Sequence, residues 1–149
     1  MRTIKFRGFN AKNNQWLYGS HIINRGKNFV APDEFADDKT WEDYEVEPET
    51  IGEFTGLHDK NGKEIYEGDI LLWTRKNVHI EGRPLQDFSN KCIVYYDNDK
   101  CAFQFRCKLR CGACVGCLDF DDDRADESFV EVIGNIHDNP ELIEKGGEE

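Results

Sequence analysis

Six cysteines are the residues of this chain best suited to chemistry. Four crowd into Cys107-Lys108-Leu109-Arg110-Cys111-Gly112-Ala113-Cys114-Val115-Gly116-Cys117. Thiolates two residues apart in a glycine-containing turn can hold one soft metal, because such a turn also aims backbone N–H groups at the sulfurs. Cys107, Cys111, Cys114 and Cys117 would complete a tetrahedral zinc site. Structural zinc normally takes two separate Cys-x-x-Cys knuckles, however, and here Cys111-x-x-Cys114 and Cys114-x-x-Cys117 share a residue. Free thiols in a loop, a zinc site and disulfides formed on oxidation are the three readings the spacing leaves open. The interval Cys107-x3-Cys111-x2-Cys114 also matches the cluster motif of radical enzymes that use S-adenosylmethionine. Those enzymes need a large barrel that 149 residues do not supply.

Other constellations are weaker. Asp119 to Glu127 is acidic enough to invite calcium, but Arg124 stands where an EF-hand loop needs its glycine and Val130 where it needs its bidentate glutamate. His21, His58, His79 and His137 are far apart, with no nucleophile at triad spacing and no glycine-rich phosphate loop. This absence of a convergent set points away from an enzyme. Trp16, Tyr18, Trp73, Tyr95, Tyr96, Phe103 and Phe105 could line a recognition face, although a small β protein needs most such rings in its core.

The elements that carry these residues read as mainly β. Ile4 and Phe6 alternate with Thr3, Lys5 and Arg7, the period-two pattern of a half-buried strand. Trp16 to Tyr18, Ile22-Ile23 and Asn28 to Val30 continue an N-terminal β-hairpin or meander. Residues 32–49 are acidic and carry Pro32 and Pro48, as a surface connector would, with a short strand expected at Trp41 to Val46. The expected division is residues 1–49 and residues 50–149.

In the second part, Asn61-Gly62 predicts a type I′ hairpin turn. Ile70 to Thr74 follows as a strand, then a looser stretch over residues 75–90. Cys92 to Tyr96 and Cys101 to Phe105 form a second hairpin around Asp97-Asn98-Asp99-Lys100, with the cysteine-rich segment beyond it. Phe129 to Ile133 is the last strand. Asn139 as N-cap, Pro140 at the first helical position and Glu141 predict one helical turn.

Three stretches, in this order, resemble the YopX family of small phage- and prophage-encoded proteins. They are Met1 to Phe9, the run Phe54-Thr55-Gly56-Leu57-His58-Asp59-Lys60-Asn61-Gly62-Lys63-Glu64-Ile65-Tyr66-Glu67-Gly68-Asp69-Ile70, and Glu131 to Leu142. The resemblance implies an SH3-like small β-barrel for the C-terminal part, and a phage or prophage accessory protein rather than a particular activity.

Net charge is −11 and unevenly placed. Residues 1–30 hold six basic side chains and no acid, whereas residues 31–56 hold ten acids against Lys39 alone. So acidic a field repels phosphate, which disfavours nucleic acid as the partner. The alternative, a nucleic-acid-binding barrel, would use Lys5, Arg7, Arg75, Lys76, Arg106, Lys108 and Arg110. The leading expectation is a non-catalytic module that binds a host or phage protein, or its own copy in a homo-oligomer. Neither a signal peptide nor an apolar run of about 20 residues is present, so a cytoplasmic location with reduced cysteines is expected.

Overall fold

The computed structural model describes residues 3–34, 36–78, 84–109, 112–117 and 128–144. Ten strands carry most of them: β1 Phe6–Asn10, β2 Gln15–Asn24, β3 Lys27–Ala31, β4 Gly52–His58, β5 Glu64–Tyr66, β6 Asp69–Val78, β7 Gln86–Asp97, β8 Ala102–Leu109, β9 Gly112–Cys117 and β10 Ser128–Asn135. One helical turn, α1, spans Glu141–Glu144. The chain divides into two compact units, Met1–Leu57 and His58–Glu149.

In the first unit the antiparallel order is β3-β2-β1-β4. β2 and β3 are joined by Arg25-Gly26, with φ of 50° and 80°. Two consecutive positive φ values identify a two-residue type I′ turn. β2 is one continuous strand that changes partners at Gly19, pairing with β1 as far as Phe6↔Gly19 and with β3 from Ser20↔Ala31. Phe29, Ala31 and Tyr44 form the core here, with Leu17 and Ile22 packed on them.

The segment Trp41–Tyr44 is a 3-10 turn rather than the expected strand. Asp43 explains the difference: its carboxylate accepts the Thr40 amide at 2.9 Å and the Thr40 hydroxyl at 3.1 Å, which closes the turn. The Thr40 amide, aided by Lys12, holds the Asp43 carboxyl down to about 2. Strand-like pairing resumes only at Glu45, in a single bridge to Phe29. The Trp41 ring meets Phe29 edge-on at 5.6 Å, as an anchor.

Asn10, fully buried at the end of β1, ties this connector to the sheet. Its side-chain amide donates to the Asp43 and Glu45 carbonyls at 3.0 and 2.9 Å, and its Oδ1 accepts the Asn13 amide at 2.7 Å. Asn10→Ala leaves two carbonyls and one N–H without these partners. A loss of about 2 kcal/mol is expected, read as a lower denaturant midpoint at unchanged m-value.

The second unit is built on a five-stranded antiparallel sheet, β10-β6-β7-β8-β9. Its order is open, with no pairing between β10 and β9, so the closure of an SH3-like barrel is not formed among the described residues. The stretch expected to be loose is largely strand, since β6 runs to Val78 and β7 begins at Gln86. Ile65, Tyr66, Ile70, Leu71, Val94, Val130 and Val132 are buried. At the end of β10, the buried Asn135 accepts the His137 and Asp138 amides at 2.9 Å each, and its own amide donates to the Asp138 carboxylate at 2.8 Å. α1 follows Pro140 as the sequence predicts.

Candidate functional site

The described part of the cysteine-rich segment is paired strand, not a loop. β8 and β9 pair from Gln104↔Cys117 to Leu109↔Gly112, and Cys107 stands opposite Cys114. On its other side Cys107 stands opposite Cys92, which in turn stands opposite Leu71, itself opposite Val132. One row across five strands therefore reads Val132, Leu71, Cys92, Cys107, Cys114. Apolar residues fill the first two positions and cysteines the last three.

Cys92 and Cys107 are joined as a disulfide, with Cα atoms 4.1 Å apart. That spacing is the narrow, non-hydrogen-bonded kind of antiparallel pair, where side chains approach most closely. Both cysteines are buried, at 1% and 2% exposure. The bond links positions separated by 15 residues, and a loop of that size corresponds to about 3 kcal/mol of stabilisation in the chain-entropy account. Cys101, in the turn before β8, is a free, exposed thiol. Cys111 lies outside the described residues, as does the acidic stretch from Asp119 to Glu127. A zinc site using Cys107 needs its thiolate, so metal and disulfide compete for one sulfur.

Three of the seven cations named by the sequence reading rest on aromatic rings, and Arg110 lies outside the described residues. The Arg7 guanidinium lies 5.0 Å from the Trp16 ring centre, the Lys5 ammonium 5.9 Å from that of Tyr18, and the Arg106 guanidinium 4.8 Å from that of Tyr95. Phe9 meets Trp16 edge-on at 5.6 Å, and Phe103 meets Tyr96 at 5.2 Å. Arg7 is buried within its unit, whereas Tyr18 is 46% exposed. These contacts stabilise the sheets' own faces, each contributing about 0.5–1 kcal/mol at exposed sites.

A groove of about 400 Å³ in the first unit is lined by Asn10, Lys12, Lys27, Glu42, Glu45 and Pro48 among others. Its cations are compensated locally. The Lys12 ammonium is 3.3 Å from the Asp43 carboxylate and that of Lys27 is 2.7 Å from Glu45, whose hydrogen bond raises the Lys27 pKa.

The signature turn in the second unit is organised by Asp59. Its Oδ1 accepts the Asn61 and Lys63 amides at 2.8 and 2.9 Å, and its Oδ2 accepts the Val132 amide at 3.0 Å. Gly62 adopts φ of 79° while Asn61 is not left-handed, so the turn is a type I turn followed by a left-handed glycine rather than the expected type I′. Its closing bond runs from the Gly62 amide to the Asp59 carbonyl at 2.9 Å. The Lys60 amide donates to the Val130 carbonyl, also at 2.9 Å, and the Lys60 ammonium pairs with Glu131. The turn thus binds β10 through both backbone and side chains. His58 and His137 are exposed and belong to no described catalytic arrangement.

Two open antiparallel sheets and one helical turn define a mainly β protein. The chain belongs to the YopX family: the family described as YopX protein matches residues 5–144. No curated protein matches it. Among solved structures it is similar to protein EF1440 from Enterococcus faecalis, at 21% identity and a TM-score of 0.50. That match covers 96% of this chain and 99% of the other, and shows a shared fold. Among the described residues, no helix is long and apolar enough to cross a membrane.

Proposed function

We propose that this protein is a non-catalytic binding module of a phage or prophage, and that it takes a protein partner as an added strand on the edge formed by β9. The observation that supports this most is the composition of that edge. β9 reads Gly-Ala-Cys-Val-Gly-Cys and ends the sheet order, with no strand on its outer side among the described residues. Proteins normally protect such edges with charge, proline or a bulge. An uncharged edge of small residues is suited to main-chain pairing with an extended segment.

The test follows from backbone alternation. Cys107 and Cys92 form a narrow pair, so the N–H and C=O of Cys107 point toward β9 and bond Cys114. The backbone groups of Ala113 and Val115 then point outward. Val115→Pro removes an outward N–H and spares the β8–β9 ladder. Partners captured from bacterial or phage-infected lysate by the wild type should be lost with this variant, as should any self-association seen in sedimentation. Capture and sedimentation unchanged by the proline would remove the edge as the binding surface.

A zinc-binding role is the second reading, favoured by the register that brings Cys107 and Cys114 together. Elemental analysis of untagged protein purified under reducing conditions decides it. About one zinc per chain, lost in Cys114→Ser, is the expected result for a metal site. Metal-free protein with titratable thiols removes it.

A further inference from the structure

The row of cysteines supports a conclusion independent of any binding partner. We propose that Cys92, Cys107 and Cys114 form a thiol–disulfide exchange row, in which Cys107 trades between Cys92 on β7 and Cys114 on β9. The central cysteine is opposite both others in register, and one of its two possible bonds is present.

The backbone register permits both bonds. With Cys92–Cys107 the narrow pair, Cys107↔Cys114 is the wide, hydrogen-bonded pair, in which Cα atoms stand about 5.5 Å apart. That spacing lies within the usual disulfide range of about 4.4–6.8 Å. Exchange needs no external oxidant. The Cys114 thiolate attacks Sγ of Cys107, the S–S bond to Cys92 breaks, and a Cys107–Cys114 bond forms. Cys92 leaves as a thiolate and takes up a proton in place of the one Cys114 gave to solvent. The number of disulfides is unchanged.

The two isomers differ in what they tie. In one, β7 is stapled to β8. In the other, the edge strand β9 is stapled to β8, while Cys92 becomes a thiol beside Leu71. Burial of Cys92 and Cys107 shields their bond from reductants in solution, so the neighbouring strand is the direct route to it. The device would convert the position of a single disulfide into the rigidity of the outermost strand.

Disulfide mapping tests this with the whole chain. Protein carrying the Cys92–Cys107 bond is held in EDTA at pH 6 and at pH 8, quenched with acid at intervals, alkylated, digested and sequenced by tandem mass spectrometry. Fragments linking Cys107 to Cys114 should accumulate, with an initial rate rising about tenfold per pH unit below the thiol pKa of about 8.5. Cys114→Ser should abolish them and leave Cys92–Cys107 intact. In Cys92→Ser reoxidised with glutathione disulfide, Cys107–Cys114 should be the principal bond. The proposal is overturned if no such link forms at either pH in the wild type. It is equally overturned if Cys107 in the Cys92→Ser protein pairs with Cys111 or Cys117. The wild-type time course holds even where a serine variant fails to fold.

Discussion

Replacing Asp59 with alanine is expected to destabilise the protein by about 4 kcal/mol, because three backbone amides lose one charged acceptor at a buried position. Two of them, Asn61 and Lys63, shape the signature turn, and the third, Val132, lies in β10, 73 residues away in sequence. One carboxylate therefore shapes the local turn and, beside the Lys60 contacts to Val130 and Glu131, helps attach it to the last strand. Asp59→Asn is informative because it preserves size. Its oxygen can still accept from Asn61 and Lys63, but its NH₂ then faces the Val132 N–H, donor against donor. The expected cost is about 2 kcal/mol, and urea unfolding of the two variants beside the wild type measures both.

The same site has a pH signature. Burial alone pushes the Asp59 pKa up, yet the amides of Val132, Lys63 and Asn61, with the Lys63 charge, outweigh it and the net shift is downward. A carboxyl whose folded pKa lies below its unfolded value of about 3.9 adds stability that is complete above the unfolded value. That stability is lost as pH falls through the folded one. The gap in unfolding free energy between wild type and Asp59→Asn should thus be largest near neutrality and narrow on acidification below about pH 4. A gap independent of pH would mean that the carboxylate is not the acceptor.

How much of this was legible in the sequence depended on whether the signal was local. Asn139-Pro140-Glu141 specifies a helix start through its own backbone chemistry, and α1 is there. Asp97-Asn98-Asp99 likewise forms a turn, with the Asp97 carboxylate accepting the Asp99 and Lys100 amides at 3.0 and 3.2 Å. Asn61-Gly62 marked a real turn but the wrong type, since Asp59 captures the amides that would otherwise leave Asn61 free to turn left-handed. Arg25-Gly26 forms the type I′ turn instead, with an arginine at a position where Asn or Asp is the usual signal. The cysteine row was hidden for a different reason. Spacing along the chain groups Cys107 with Cys111, Cys114 and Cys117, whereas register groups it with Cys92 and Cys114. Register depends on the long-range pairing of three strands. The one available hint was that Cys92 opens the apolar run Cys92 to Tyr96, while Cys107 extends the alternation of Phe103 and Phe105.

Gly19→Ala is expected to be as damaging as loss of Asp59, about 4 kcal/mol, although it adds only a methyl group. Gly19 has φ of 152°, and a Cβ there would lie 1.9 Å from the Ala31 carbonyl oxygen, a backbone atom of β3 that has no rotamer to yield. The conformation has a purpose in the fold. Leu17 and Ile22 are five positions apart, which strict alternation would place on opposite faces, yet both pack on the Phe29, Ala31 and Tyr44 cluster. The irregularity at Gly19, where β2 passes from β1 to β3, accounts for that change of phase. Gly26→Ala is the control: φ there is 80°, but no atom stands within 4 Å of the added methyl, so only the left-handed cost of about 1–2 kcal/mol applies. Chemical denaturation of both variants should show the Gly19 protein less stable by at least about 2 kcal/mol. Equal losses would mean that β2 can alternate through residue 19 without a break, and that the core of the first unit is organised by something other than the switch at Gly19.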